Sequence, residues 1–245
     1  SHQKIFEPIG NIGNKEGNDI VQKKINKKAV IERDIINNKI NGFLNIRSIC
    51  VTVVDENFDD RNYSISVYKI IDEKEVLVNV GYSLYSSGSR HIITILFDDD
   101  GEYRISVKKK EFTAGEKEHL KGIMFEEKFK VDTTPPVITV SGVQNLTANA
   151  RTVAPVIKYS DKNIDLFKST VTLTSVTNGR VRELLYKAVS DGSGYILNLD
   201  PINIDDNYIL AVRIYDMAGN VTEEKVNFSV NKNGATFKFK PEEIV

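Results

Sequence analysis

The chain has 245 residues, 40% apolar and 27% charged, which suits one large or two ordinary folded domains and excludes a disordered polymer. Its 33 Lys and Arg against 34 Asp and Glu leave a net charge of −1, without the basic footprint of a nucleic-acid binder. Cys50 is the only cysteine, so an internal disulfide or a cysteine zinc site cannot form. The longest apolar runs, such as 92–97, are of strand length, so no membrane insertion is expected within this segment.

Residues 1–28 carry Gly10, Gly13 and Gly17 among Asn and Lys and show little periodicity. They read as a leader or linker, with Ser1-His2 as a cloning scar. The best helical candidate, Ile20 to Ile36, is interrupted by Asn26 and the β-branched pair Val30-Ile31. Regular structure is expected from residue 29, and it takes the form of alternating strands.

The chain then repeats itself. Val51-Thr-Val-Val-Asp-Glu-Asn-Phe-Asp59 lines up with Ile157-Lys-Tyr-Ser-Asp-Lys-Asn-Ile-Asp165, 106 residues on, and Ile65-Ser-Val67 keeps that spacing to Val171-Thr-Leu173. Tyr103-Arg-Ile-Ser-Val107 matches Tyr208-Ile-Leu-Ala-Val212, and Phe129-Lys-Val131 matches Phe228-Ser-Val230. A period near one hundred residues fits tandem domains, not a solenoid. Each copy reads as about seven short strands of period two. In the second they fall near 137–140, 153–159, 169–176, 181–187, 195–199, 208–215 and 225–230. Tyr208, Leu210, Val212 and Ile214 share one face and Val226, Phe228 and Val230 another. The first copy offers Tyr63, Ile65, Val67, Tyr103, Ile105 and Val107 for its core, and Cys50 reads as a small core hydrophobe. The lysine run 108–110 reads as a solvated strand end.

Between the copies, Asp132-Thr-Thr-Pro-Pro136 combines turn chemistry with two residues that cannot donate to a sheet, making a short, stiff joint. The expected division is a leader over 1–28, an all-β sandwich over 29–133, a second over 134–232, and the start of a next repeat or a tail over 233–245. The last follows from the fresh alternating run Ala235-Thr-Phe-Lys-Phe239.

Two further features join the joint in suggesting a family. Asp206-Asn-Tyr208 and Gly101-Glu-Tyr103 place a tyrosine at the start of a long strand, where immunoglobulin-like sandwiches carry a tyrosine corner. Tyr215-Asp-Met-Ala-Gly-Asn220 reads as the last hairpin. Together they resemble the bacterial immunoglobulin-like repeats of large secreted or wall-anchored surface proteins, over about residues 29 to 232. Glu111-Phe-Thr-Ala-Gly115 departs from that pattern in the first copy. The resemblance implies two tandem immunoglobulin-like β-sandwiches in an extracellular, non-catalytic spacer or adhesive segment, with neighbouring repeats of the same chain as partners. The Lys-, Asn- and Ile-rich usage accords with an AT-rich genome.

Scattered histidines (His2, His91, His119) and one cysteine make no triad or histidine metal cluster, so no enzyme is expected. The alternative is a carbohydrate- or host-ligand-binding module, accessory to an extracellular enzyme or recognising a glycan or matrix protein. It would need an aromatic platform, for which Tyr82, Tyr85 and Tyr186 are the candidates and Trp is lacking. The polar loop 111–121 is the other place long enough for recognition. A self-formed Lys–Asn crosslink would need three groups meeting in a core, which sequence cannot display.

The acidic loops carry the sharpest expectation. With successive strands antiparallel, Asp98, Asp100, Asp161 and Asp216 all point toward the joint, beside Asp132 on the linker, with Asp165 and Asn220 at the same pole. Calcium takes six to eight oxygen ligands from such loops, so an interdomain calcium site at Asp98, Asp100, Asp132, Asp161 and Asp216 is one reading. Solvated acidic turns are the plainer one.

Overall fold

The structure is a computed structural model and describes residues 30–32, 42–111 and 119–234. The expected leader or linker over 1–28, most of the 111–121 loop and the 235–239 run lie outside the described residues.

Among the described residues eighteen strands form four sheets. The first half holds β1 (Val30–Glu32), β2 (Phe43–Leu44), β3 (Ser48–Val54), β4 (Tyr63–Ile71), β5 (Lys74–Val78), β6 (Tyr82–Ser87), β7 (Arg90–Leu96), β8 (Gly101–Glu111) and β9 (His119–Val131). The second half holds β10 (Val137–Ser141), β11 (Thr147–Asn149), β12 (Val156–Ser160), β13 (Ile164–Ser175), β14 (Arg180–Glu183), β15 (Val189–Ser190), β16 (Tyr195–Asn198), β17 (Asp206–Asp216) and β18 (Val221–Val230). Sheet order is β1-β3-β7-β6 against β2-β9-β8-β4-β5 in the first, and β10-β12-β16-β15 against β11-β18-β17-β13-β14 in the second. The second order is the first shifted by nine strands. The sequence repeat is therefore a repeat of topology, two tandem immunoglobulin-like sandwiches.

All pairings are antiparallel except β2 with β9 and β11 with β18, where the chain has crossed to the opposite sheet and runs beside the last strand. Gly142 makes that crossing in the second sandwich, with φ +78 and no room for a Cβ, which would stand 2.5 Å from the Ala154 carbonyl oxygen. The short strands β11 and β15 were not legible because two or three residues have no period. The run expected as a strand over 181–187 stops at Glu183. Leu184 then turns inward, donating its N–H to the Val171 carbonyl, and a 3-10 turn follows over Leu185–Lys187.

Alternation decides the cores. Ile157, Tyr159 and Leu197 on one sheet face Val171, Leu173, Leu210, Val212, Ile214 and Phe228 on the other. In the first sandwich Val51, Val53, Ile93 and Ile95 face Val67, Tyr103, Ile105, Val107, Phe129 and Val131. Burying each large side chain is worth roughly 1.5–3 kcal/mol, so two cores of this size hold without a disulfide.

Both tyrosine corners are formed. The Tyr103 hydroxyl donates to the Asp99 carbonyl and the Tyr208 hydroxyl to the Ile204 carbonyl, each at 3.0 Å and four residues back. The expected hairpin is closed by Asp216 N–H to the Asn220 carbonyl at 3.0 Å, with Gly219 at φ +91.

One core reading is corrected. Cys50 is exposed on the outer face of its sheet, because Ile49, Val51 and Val53 claim the inward phase of β3 and leave Cys50 the outward one, beside Thr94. His91, near the start of β7, is buried with Ile93 and Ile95 on its inner face.

A candidate cation site at the interdomain joint

Strand β9 ends at Val131, and the next two residues are held by the first sandwich. The Asp132 N–H donates to the Leu44 carbonyl, and the Thr133 N–H donates to Asp100 Oδ2, both at 2.9 Å. The Thr133 and Thr134 hydroxyls also donate to Asp100, and Arg47 Nε reaches its Oδ1 at 2.9 Å. Burial pushes the Asp100 carboxyl up, but Thr133, Arg47 and Thr134 more than offset it, holding the group below the usual carboxylate value.

The Asp132 side chain then belongs to the second sandwich. Asn163 donates Nδ2–H to its Oδ2, and Asn220 donates Nδ2–H to its backbone carbonyl, both at 2.8 Å. Asn163 lies in the turn after β12, where its N–H also caps Asp161 Oδ1 at 2.7 Å. Asn220 lies in the last hairpin, where its N–H and Nδ2–H cap the two oxygens of the fully buried Asp216 at 2.8 and 2.7 Å. The Met217 N–H to the Asn163 carbonyl ties the two turns together. Further on, the Thr222 hydroxyl donates to the Pro136 carbonyl.

These bonds bring Asp132, Asp161 and Asp216 together, with one carboxylate oxygen of each within 4.8 Å of the others. Burial pushes the Asp161 carboxyl up, against the Asn163 N–H and with help from the charges of Asp132 and Asp216. Burial also raises Asp216, against its Asn220 hydrogen bonds and with help from Asp132. Among the described residues no Lys or Arg forms an ion pair with any of the three. A cluster of hard oxygen donors with surplus negative charge can hold a metal ion. Three carboxylates alone fall short of the six to eight oxygens that calcium takes, so carbonyl groups or water would complete the shell. An open cleft of about 930 Å³ beside the cluster, lined by Phe43, Glu102, Lys130, Lys162 and Tyr195, also takes in Asp132 and Asp161, while Asp216 lies buried behind them.

The other two expected ligands lie outside this group. Asp100 is turned to Thr133, Thr134 and Arg47, and Asp98 meets Arg47 through its backbone carbonyl. Asp165 is buried and caps the N–H groups of Phe167 and Lys168 in its own bulge. Asn163 and Arg47 escaped sequence reasoning. The signal for Asn163 was present in the aligned repeat as Asp55-Glu-Asn57 and Asp161-Lys-Asn163.

The remaining candidates are dispersed. Lys109, read as a solvated strand end, instead donates to the buried Asp55 at 2.6 Å and stands over the Tyr63 ring. The His91 ring nitrogens meet Ser86 Oγ and the Asp55 carbonyl at 2.9 and 3.0 Å, on the opposite face of the sheet from Cys50. Tyr82 and Tyr85 are both exposed, but Tyr82 pairs with Ile95 on the core-side face and Tyr85 with Ile92 on the outer face. They do not form one platform.

No family model matches the chain, and no curated protein sequence matches it. Solved structures with some likeness include an I-band fragment of titin, at 13% identity and TM-score 0.37 over 77% of this chain. The chain spans only 61% of that fragment. Dimeric latent PorU from Porphyromonas gingivalis gives 17% identity and TM-score 0.34 over 85% of this chain and 24% of its own. CopC from Methylosinus trichosporium OB3b gives 17% and 0.31 over 42% of this chain and 98% of its own. Likeness this weak carries no weight for function, and the fold stands on the strand order itself.

Proposed function

We propose that this protein is a non-catalytic spacer or adhesive segment of a bacterial cell-surface or secreted protein, with calcium at Asp132, Asp161 and Asp216 locking its joint. The observation that carries this reading is Asp132. Its N–H is bonded to the first sandwich while its carbonyl and carboxylate are bonded to the second, so a single residue couples the two. A joint tied on both sides transmits orientation, which a stalk needs and a flexible enzyme linker does not. Calcium would neutralise the surplus carboxylate charge and add bonds across the same point. Extracellular calcium, at millimolar levels, matches the roughly 10⁻⁴–10⁻³ M affinities of extracellular modules. The proline joint, the tyrosine corners and the Ala-Gly-Asn hairpin support the bacterial surface setting.

Calorimetric titration of calcium into chelator-treated protein, with small-angle scattering in both states, tests the reading. It predicts heat of binding in the millimolar range and an elongated two-lobed particle that sharpens with calcium. A glycan array and a pull-down against matrix proteins cover the competing module reading. Specific binding that survives calcium removal would displace the spacer role.

A further inference from the structure

The chain leaves both sandwiches in the same way. Asp100 stands three residues before the corner tyrosine Tyr103, and Asp205 three residues before Tyr208. Thr133 lies two residues past Val131, and Lys232 two past Val230. The Thr133 N–H donates to Asp100 at 2.9 Å, and the Lys232 N–H donates to Asp205 at 3.0 Å. One residue earlier, the Asp132 N–H donates to the Leu44 carbonyl and the Asn231 N–H to the Asn149 carbonyl, at the same register of β2 and β11. One residue later the grip continues through the Thr134 hydroxyl on Asp100, and through the N–H and Nδ2–H of Asn233 on Asp205.

At the first exit this grip has a visible purpose, since it aims Asp132 at Asn163 and Asn220. At the second exit, Lys232 and Asn233 are exposed and add nothing to the core. Ordering exposed residues beyond the last strand costs chain entropy that the second sandwich itself does not recover.

We propose that Asp100 and Asp205 are positioning residues of one repeated device that sets the direction in which the chain leaves each sandwich. The pole around Asp205 is accordingly a seat for a further sandwich of this kind, presented at the angle the second adopts on the first. This rests on the tandem-spacer reading. It differs in what it requires, because the exit at Asp205 must be ordered whether or not the protein binds calcium or a glycan.

Backbone residual dipolar couplings and amide hydrogen exchange on the whole chain test it. The peptide planes of 231–233 are expected to hold the same orientation relative to the second sandwich as those of 132–134 hold to the first. The Thr133, Lys232 and Asn233 amides should each exchange at least tenfold slower than an open chain. Asp205→Ala should abolish protection at Lys232 and Asn233 while leaving the alignment of the two sandwiches unchanged. Asp100→Ala should separate their alignment tensors with both cores intact. Averaged couplings over 231–233, or unprotected Lys232 and Asn233 amides, would overturn the seat. A common alignment tensor preserved in Asp100→Ala would overturn the positioning role. Ligand discovery would bear on the spacer reading alone.

Discussion

Asp55 and Asp161 occupy the same position in their sandwiches, 106 residues apart, and meet opposite charges. Each caps the N–H of the asparagine two residues on, Asn57 at 3.0 Å and Asn163 at 2.7 Å. Asp55 then receives the Lys109 ammonium and the Tyr63 hydroxyl on its other oxygen, both at 2.6 Å. Asp161 has Asp132 and Asp216 for neighbours instead. Burial pushes both carboxyls up. The hydrogen bonds from Lys109, Tyr63 and Asn57 more than offset this at Asp55, whereas burial prevails at Asp161. One turn thus closes a self-contained ion pair in the first copy and an uncompensated acidic cluster at the joint in the second.

Asp55→Asn is expected to cost about 3 kcal/mol at neutral pH, the lower end for breaking a buried pair, because Lys109 keeps partial access to water. The folded state holds Asp55 below its ordinary value of 3.8, so it binds fewer protons there than the unfolded chain. The stability it supplies is complete above that ordinary value and is lost as pH falls through the folded-state one. Urea unfolding across the acid range should show a shallower decline for the variant than for the parent. Parallel curves would mean the charge of Asp55 contributes nothing.

Asp161→Asn reports on the joint. The amide oxygen can still cap Asn163, while one negative charge leaves the cluster. In chelator the variant should melt above the parent, and added calcium should no longer raise its melting temperature. For the parent, calcium at ten times its dissociation constant should add about 1.4 kcal/mol. Without a cation, the raised values of Asp161 and Asp216 make the folded state the better proton binder. The contribution of these two groups to stability should therefore fall as pH rises from the ordinary value of 3.8 through those raised values, so Asp161→Asn should gain on the parent over that range. A parent indifferent to both calcium and chelator would leave only hydrogen bonds and prolines to stiffen the joint.

Asn220→Ala removes the side chain that bonds the Asp132 carbonyl and Asp216 together, and strips one hydrogen bond from a fully buried carboxylate. A loss of about 1–3 kcal/mol is expected in the second sandwich. The two sandwiches should also reorient more freely, seen as a wider distance distribution between spin labels placed one on each. An unchanged distribution would show that Asn163 alone maintains the coupling.

Two buried tyrosines should respond oppositely to loss of their hydroxyl. Tyr208→Phe gives up the bond to the Ile204 carbonyl and should cost about 1 kcal/mol. Among the described residues the buried Tyr159 hydroxyl has no hydrogen-bond partner, and burial pushes its pKa up to about 12. Tyr159→Phe relieves that desolvation and should be neutral or stabilising by up to about 1 kcal/mol. Thermal melts of the two variants beside the parent decide the matter.

The sequence alone determined what is local and periodic. Strand phase follows from the alternation of Tyr208, Leu210, Val212 and Ile214, because the pleat has a period of two and one face must be dry. The repeat followed from matched spacings, and the tyrosine corners and the glycine hairpin from residues whose backbone needs are specific to such turns. It could also place acidic loops at a common pole, since antiparallel connectivity fixes which loops share an end.

What it could not decide was which carboxylates meet. Asp98 and Asp100 share a loop, yet Arg47, Thr133 and Thr134 draw Asp100 to the exit, while Asp132 crosses to Asn163 and Asn220. Nor could it decide that Lys109 leaves a lysine run to neutralise Asp55, or that Cys50 faces outward between two core residues. Each outcome depends on partners between 31 and 88 residues away in the chain, or on which of two faces the opposing sheet covers. Such partners become neighbours only once the sheets have closed, so only the tertiary structure decides between them.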